Sequence, residues 1–91
     1  MLKRSKKKKT RFKFKSKKAR EVFLCGDFNN WCDHDLPMKQ VGDDVFEIEI
    51  QLMPGEYEYK FLADGIWHND PGCMWHVPNV WGSENSVIKV E

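Results

Sequence analysis

Residues 45–67 have the sequence VFEIEIQLMPGEYEYKFLADGIW, and this stretch decides the fold class. Apolar and polar residues alternate on both sides of Pro54-Gly55, which predicts two half-buried β-strands joined by a turn. The apolar face of the first strand holds Phe46, Ile48, Ile50 and Leu52, and that of the second holds Tyr57, Tyr59, Phe61 and Ala63. These two faces are the predicted centre of the core.

The Asp64-Gly65 pair predicts a two-residue hairpin turn and determines the pairing after it. Such a turn places Leu62 opposite Trp67, and directly opposed residues lie on the same face of a sheet. Trp67 is therefore expected on the solvent face beside Lys60, away from the core.

Shorter signals extend this pattern toward both ends of the chain. The expected further strands lie near residues 10–16 with Phe12 and Phe14, at Val22 and Leu24, and at residues 87–90, after an irregular stretch from about 68 to 84. Helical periodicity is absent from the sequence. A series of short antiparallel strands predicts an all-β sandwich.

The net charge of +1 conceals two segments of opposite sign. Residues 1–20 carry twelve basic and no acidic residues, whereas the remainder has a net charge of −11. A lysine-rich stretch is typical of a solvated, disordered segment, so residues 1–9 are expected to form a flexible basic N-terminal tail and residues 10–91 a folded domain. The tail can contact nucleic acid only without sequence specificity, and the acidic domain would repel a phosphate backbone.

Size and cysteine content limit the class of protein. Ninety-one residues suffice for one domain, no apolar run reaches the roughly 20 residues of a membrane span, and lysines replace a signal-peptide core. Three cysteines without a CxxC pair fit packed thiols in a reducing, cytoplasmic location. The alternative is a zinc site from Cys32, His34, Cys73 and His76, whose spacings match known patterns poorly. We expect no metal, no cofactor and no membrane partner.

Four tryptophans are the main functional signal. Trp31 lies in a polar loop, Trp67 on the solvent face of the hairpin, and Trp75 and Trp81 in the irregular stretch. Any one of them can instead cap an open end of the sandwich. Several exposed tryptophans in one domain nevertheless favour a binding surface, and aromatic rings suit the apolar face of a pyranose. The candidate partners for the sugar hydroxyls are Lys60, Ser83 and Asn85.

Motifs spread over residues 20–90 resemble one protein family. They are LCGDFNNW at 24–31, LPM at 36–38, PGEYEYKF at 54–61, DGIW at 64–67, NDP at 69–71 and GSENSVI at 82–88. The chain resembles the family 48 carbohydrate-binding modules, which include the glycogen-binding domain of the AMP-activated protein kinase beta subunit. Similar domains precede the barrels of glycogen-branching and debranching enzymes. The resemblance implies an immunoglobulin-like (early set) antiparallel β-sandwich.

The resemblance also implies which residues bind the ligand. Residues that match the family's sugar-stacking tryptophans are Trp31 and Trp67, its binding lysine is matched by Lys60, and its polar contacts by Ser83 and Asn85. Trp81 matches an apolar residue that inserts against the curved glucan. Because that residue is more commonly aliphatic, Trp81 can either enlarge the platform or block it, and the same question applies to Trp75.

We therefore predict a non-catalytic module that binds α-1,4-linked glucans such as glycogen, starch and maltodextrins. No carboxylate pair suited to glycoside hydrolysis can be assembled, because the aspartates fall in predicted turns. Trp31 leaves a loop and Trp67 leaves a hairpin in another part of the chain, so their planes should be inclined and should favour a curved α-glucan. The alternative is a protein-interaction or regulatory module that uses the same aromatic patch, with vestigial sugar binding. A glycogen-metabolising enzyme or a kinase is a candidate partner in trans.

Overall fold

Eight β-strands and one short 3-10 helix make up the fold in the computed structural model, which describes residues 6–91. The strands are β1 (Lys8–Lys15), β2 (Val22–Gly26), β3 (Lys39–Gln40), β4 (Val45–Leu52), β5 (Gly55–Ala63), β6 (Ile66–His68), β7 (His76–Pro78) and β8 (Glu84–Val90). The 3-10 helix, Asp27–Asn29, follows β2, and the described residues contain no α-helix. The predicted all-β class is confirmed.

The strands form two antiparallel sheets. Sheet A has the order β1-β4-β3, and sheet B has the order β2-β5-β8-β7. Tyr59 of β5 pairs with both Gly26 of β2 and Ser86 of β8, so these two strands flank β5. β6 pairs with the last three residues of β5 and lies in line with β8 along the same edge.

One segment connects the two sheets at their edge. The backbone N–H of Leu24 donates to the Leu36 carbonyl at 3.0 Å, and that of Met38 donates to the Val22 carbonyl at 2.8 Å. Residues 36–38 therefore run along β2, and the next two residues form β3 and pair with β4. This passage from sheet B to sheet A closes one side of the sandwich.

The core lies between the sheets and is rich in aromatic rings. Its buried members are Phe12, Phe14, Val22, Leu24, Met38, Phe46, Leu52, Tyr59, Phe61, Ala63 and Val90. Phe61 is fully buried, with its ring centroid 5.0 Å from that of Phe14 in the opposite sheet and 5.8 Å from that of Tyr59. The alternating faces predicted for β4 and β5 supply much of this core, and the antiparallel β-sandwich is confirmed.

The start of β1 differs from the prediction. β1 begins at Lys8, two residues before the expected start near residue 10, and Lys8 and Lys9 pair with Leu52 and Gln51. Two residues assigned to the tail thus belong to a strand, because backbone pairing with β4 continues where the apolar alternation has already stopped. Of the rest of the expected tail, Lys6 and Lys7 are exposed and precede β1, and residues 1–5 lie outside the described residues.

Three further elements were predicted incompletely or not at all. β8 begins at Glu84 rather than at residue 87, and β7 lies within the stretch expected to be irregular. β3 was not predicted either. Strands of two or three residues are too short to show a period of two, and their pairing partners are distant in sequence.

The turn between β5 and β6 has the predicted geometry. Asp64 and Gly65 have φ angles of 48° and 81°, and a type I′ hairpin turn requires positive φ at both of these positions. Leu62 pairs with Trp67, which confirms the predicted register and places Trp67 on the outer face of sheet B. The Asp64 carboxylate also accepts hydrogen bonds from the backbone N–H groups of Arg20 (3.0 and 3.1 Å) and Glu21 (3.0 Å). The turn therefore fastens the connection that leads into β2.

Candidate functional site

The outer face of sheet B carries a groove with a volume of about 1030 Å³. The six residues predicted to contact sugar all line it: Trp31, Lys60, Trp67, Trp81, Ser83 and Asn85. The other lining residues are Glu58, Pro78, Asn79 and Val80. The lining residues come from the loop after β2, from β5 and β6, and from β7, β8 and the loop between them. The fold thus brings the distant predicted residues together at one surface.

Trp31 is held in a tight loop that starts at Gly26. A Cβ atom on Gly26 would lie 2.6 Å from the Glu58 carbonyl oxygen and 2.7 Å from the Phe28 ring, so only glycine fits there. Asn30 and Trp31 have left-handed φ angles of 54° and 58°. A bulky residue rarely adopts this conformation, and such strain concentrates at functional sites.

Asp27 connects the Trp31 indole to the sheet. Its Oδ1 accepts a hydrogen bond from Trp31 Nε1 at 3.0 Å, and its Oδ2 accepts one from the backbone N–H of Glu58 at 2.8 Å. The backbone pairing of β2 with β5 ends at Gly26. At the next position the Asp27 side chain, instead of the backbone, accepts the hydrogen bond from β5. The half-buried Trp31 ring is therefore fixed before any ligand arrives.

Trp67 and Lys60 lie on the two strands of the β5–β6 hairpin. The Trp67 side chain remains 45% exposed on the outer face of sheet B. The Lys60 ammonium donates a hydrogen bond to Ser83 Oγ at 3.2 Å, across the groove. An aromatic face for stacking and a charged donor for hydroxyl groups thus line the same groove.

The Asn79 side chain organises the loop between β7 and β8. Its Oδ1 accepts hydrogen bonds from the backbone N–H groups of Trp81 at 2.9 Å and Ser83 at 3.1 Å. Its Nδ2 donates to Ser83 Oγ and to Asn85 Oδ1, both at 2.9 Å. Held by this loop, Trp81 keeps 86% of its surface exposed at the rim of the groove.

Asn85 forms part of the groove floor and is 8% exposed. While its Oδ1 accepts from Asn79, its Nδ2 donates to Glu58 Oε1 at 3.0 Å. The backbone of Glu58 is bound in turn by Asp27. A chain of hydrogen bonds therefore crosses sheet B from the Trp31 loop to the Trp81 loop.

Comparison with known proteins identifies the family. The family model described as the glycogen recognition site of AMP-activated protein kinase matches residues 8–91. The chain belongs to this glycogen-recognition family. The 5′-AMP-activated protein kinase subunit beta-1 of Sus scrofa is 39% identical over 73 residues, which are 80% of this chain and 57% of that subunit.

Two plant proteins are also similar to this glycogen-recognition domain. The chloroplastic PTST homolog 2 of Arabidopsis thaliana is 43% identical over 70 residues, 77% of this chain and 13% of that protein. The chloroplastic FLOURY ENDOSPERM 6 of Oryza sativa subsp. japonica is 36% identical over 75 residues, 82% of this chain and 14% of that protein. The chain thus spans a small part of both plant proteins.

Three polar residues of the glycogen-recognition domain join this site without having been predicted. Asn79 lies two positions before Trp81, and this is the spacing at which an Asx side chain accepts a hydrogen bond from the backbone, so its role in the loop could have been predicted. Glu58 shares the outward face of β5 with Lys60, so alternation alone could have located it. Asp27 was assigned to a turn, and its contact with Glu58 joins segments that no local pattern connects.

Trp75 lies apart from the groove, in the segment that leads into β7. Its carbonyl oxygen accepts from the Val87 backbone N–H at 2.9 Å, and its side chain is 43% exposed. The groove lining includes Trp81 and not Trp75. Of the two tryptophans whose roles were left open, Trp81 is the one placed to contact a ligand in the groove.

The cysteines of the described chain are free thiols. Burial, followed by the nearby Asp33 carboxylate, raises the pKa of the Cys25 thiol to about 11. Cys32 Sγ lies 3.6 Å from His34 Nδ1, whereas Cys73 Sγ donates to the Val87 carbonyl. Across residues 6–91, no three histidine, cysteine or acidic side chains are grouped to hold a metal ion, and no helix is long and apolar enough to cross a membrane.

Proposed function

We propose that this domain binds α-1,4-linked glucans in the groove on sheet B and catalyses no reaction. The observation that carries the proposal is the convergence of Trp31, Trp67 and Lys60, from separate segments, on one groove. The family is named for glycogen recognition, and one relative is a beta subunit of AMP-activated protein kinase. Stacking on the two indoles supplies most of the binding energy, with Lys60 and Ser83 bound to hydroxyl groups and Asn85 in the polar floor beside them.

The preference for an α-linked chain follows from where the aromatic platforms originate. Trp31 leaves the loop after β2, Trp67 lies on β6, and Trp81 leaves the β7–β8 loop. No common strand or helix holds these rings coplanar, whereas a straight β-1,4 ribbon favours a row of coplanar rings. An α-1,4-glucan coils and presents successive sugar units at changing angles, which suits inclined platforms.

The proposal predicts selective but weak binding. If each of the two indoles buries on the order of 100 Å² at ~25 cal/mol/Å², together they contribute roughly 5 kcal/mol before association costs. Calorimetry should then give dissociation constants from about millimolar to ten micromolar for maltoheptaose and β-cyclodextrin, with no comparable binding of cellohexaose. Equal affinity for cellohexaose, or none for either α-glucan, would overturn this specificity.

The absence of catalysis is proposed from the composition of the groove. A glycosidase needs two carboxyl groups about 5–10 Å apart across the scissile bond. Of the described residues that line the groove, only Glu58 carries a carboxylate, and it already accepts a hydrogen bond from Asn85. One carboxylate cannot serve as acid and as base or nucleophile in the same turnover.

A protein-interaction module remains the second candidate, because the groove rim exposes large apolar side chains. Val80 is 90% exposed and Trp81 is 86% exposed, a surface that a protein hot spot also uses. A kinase or a glycogen-metabolising enzyme is the partner class we propose for it. The calorimetry above separates the two functions, because failure to bind either α-glucan favours the protein partner. The cytoplasmic location stays a prediction from the unpaired cysteines.

We propose that nucleic acid contact is non-specific and uses the basic tail together with the cations of β1, which lies in the opposite sheet from the groove. The outward side chains of β1 are Lys9, Arg11, Lys13 and Lys15. Arg11 and Lys13 pair with Glu47 at 3.4 and 3.7 Å, which lowers their availability. Lys9 and Lys15 occupy the ends of this row.

Replacing Lys9 and Lys15 together with glutamine should weaken binding of a single-stranded oligonucleotide and leave maltoheptaose affinity unchanged. Two lost phosphate contacts should reduce the slope of log affinity against log salt by about 1.4. A salt titration of the wild type and the double variant measures this slope. An unchanged slope would show that these cations do not contact the phosphates, and a parallel loss of glucan binding would link the two surfaces.

A further inference from the structure

Glu58 lines the groove and is held there from two directions. Its backbone N–H is bound by Asp27, and its Oε1 accepts a hydrogen bond from Asn85 at 3.0 Å. Within residues 6–91 no hydrogen bond to the second carboxylate oxygen, Oε2, is formed. The carboxylate is thus fixed in orientation while one oxygen remains available at the groove surface.

The Asn85 carboxamide, by contrast, is bonded to protein partners at both its oxygen and its nitrogen. The side chain is 8% exposed, its Oδ1 accepts from Asn79, and its Nδ2 donates to Glu58. A carboxamide has two donor hydrogens and an oxygen with two lone pairs, so one donor and one lone pair are committed inside the protein, and the low exposure leaves little of the group open to a ligand. The Glu58 residue bonded to it is only half-buried and is therefore more exposed than Asn85.

We propose that Glu58 is a direct sugar-binding residue and that Asn79 and Asn85 act through it as positioning residues. This inference rests on the proposed function of the groove and adds a specific polar contact to it. The hydrogen bond from Asn79 to Asn85 orients the carboxamide, and the carboxamide orients the Glu58 carboxylate.

The chemistry of this pair of side chains specifies what they recognise. An ionised carboxylate only accepts hydrogen bonds, and a lysine ammonium only donates them. Glu58 and Lys60 project from the same face of β5, two residues or about 6.8 Å apart along the strand. One hydroxyl can donate to Glu58 while its neighbour accepts from Lys60, so the matching ligand group is a pair of vicinal hydroxyls on one glucose unit.

The direct role of Glu58 is tested by calorimetry with maltoheptaose. Glu58→Ala should weaken binding by about 5- to 20-fold, because hydrogen bonds to charged groups exceed neutral ones in strength. Glu58→Gln, which keeps an acceptor oxygen without the charge, should lose less. The matched control is Glu56→Ala, an exposed glutamate on the same strand that lies outside the groove. Its affinity should equal that of the wild type.

The positioning role is tested by a double-mutant cycle. Asn79→Asp keeps the oxygen that binds the Trp81 and Ser83 backbone but removes the donor to Asn85 and to Ser83 Oγ. If Asn79 acts through Glu58, Asn79→Asp should weaken binding in the wild type and have no further effect in Glu58→Ala. Independent, additive effects would show that Asn79 acts only on its own loop and would overturn the relay.

Failure of this inference and failure of the proposed function give different results. A wild-type protein that binds no α-glucan overturns the proposed function, and this inference with it. If the wild type binds, Trp67→Ala abolishes binding and Glu58→Ala stays within twofold of the wild type, the groove is a glucan site and Glu58 is not one of its contacts. Melting temperatures for each variant distinguish lost contacts from lost folding.

Discussion

Replacing Trp67 with alanine is expected to weaken maltoheptaose binding by roughly 50-fold, which would place it below detection for a site of this affinity. The indole lies on the outer face of sheet B, 45% exposed and outside the core cluster, so its removal exposes no core residue. The melting temperature should therefore remain close to that of the wild type. Isothermal calorimetry and thermal unfolding of the same sample measure both quantities.

Ile66→Ala is the matched control for this substitution. Ile66 precedes Trp67 in β6, is 63% exposed, and does not line the groove. This variant should bind maltoheptaose as tightly as the wild type. Unchanged binding by Trp67→Ala, or loss of its fold, would contradict the place we give Trp67 in the site.

Phe61→Ala is expected to have the largest effect on stability. Phe61 is fully buried and its ring packs against rings of both sheets, Phe14 at 5.0 Å and Tyr59 at 5.8 Å between centroids. Truncating a buried phenylalanine typically lowers the free energy of unfolding by 3–5 kcal/mol. Against the about 5–15 kcal/mol of a domain of this size, a large share of the variant would be unfolded at physiological temperature. Chemical denaturation monitored by tryptophan fluorescence measures the change.

Phe23→Ala provides the comparison for Phe61→Ala. Phe23 lies one strand away on β2, pairs with Leu62 and is only half buried on the outer face of sheet B. Its truncation should therefore lower the free energy of unfolding by less. A loss in Phe61→Ala no greater than in Phe23→Ala would show that the core is not centred where the two sheets meet at Phe61.

The β4–β5–β6 unit was predictable because three local signals coincide there. Alternation separates buried Phe46 and Phe61 from their exposed neighbours, Pro54-Gly55 ends one strand, and Asp64-Gly65 sets the hairpin register. Each signal acts over a few residues, and an antiparallel hairpin converts it directly into geometry. The outward position of Trp67 followed from this register alone.

The parts that could not be predicted depend on contacts between distant segments. β3 forms where residues 36–40 pass from β2 to β4. Its two residues are both exposed, so they show no apolar alternation from which a strand could be predicted. Within the groove, the bond from Asp27 to Glu58 spans 31 positions and that from Asn85 to Glu58 spans 27. The sequence therefore indicates which residues face the groove, whereas the hydrogen bonds among them require the assembled sheet.

The pairing of β1 with β4 has a consequence for how the chain is synthesised. The nearest paired residues of the two strands, Lys15 and Val45, are thirty positions apart in sequence. β1 therefore leaves the ribosome well before β4. At about 5–20 residues per second, Phe12 and Phe14 remain without a core for roughly 2–6 s. The lysines that alternate with them place charge along an unpaired strand, which opposes edge-to-edge association of nascent chains. The cations of β1 are thus expected to oppose aggregation of the newborn polypeptide until β4 emerges.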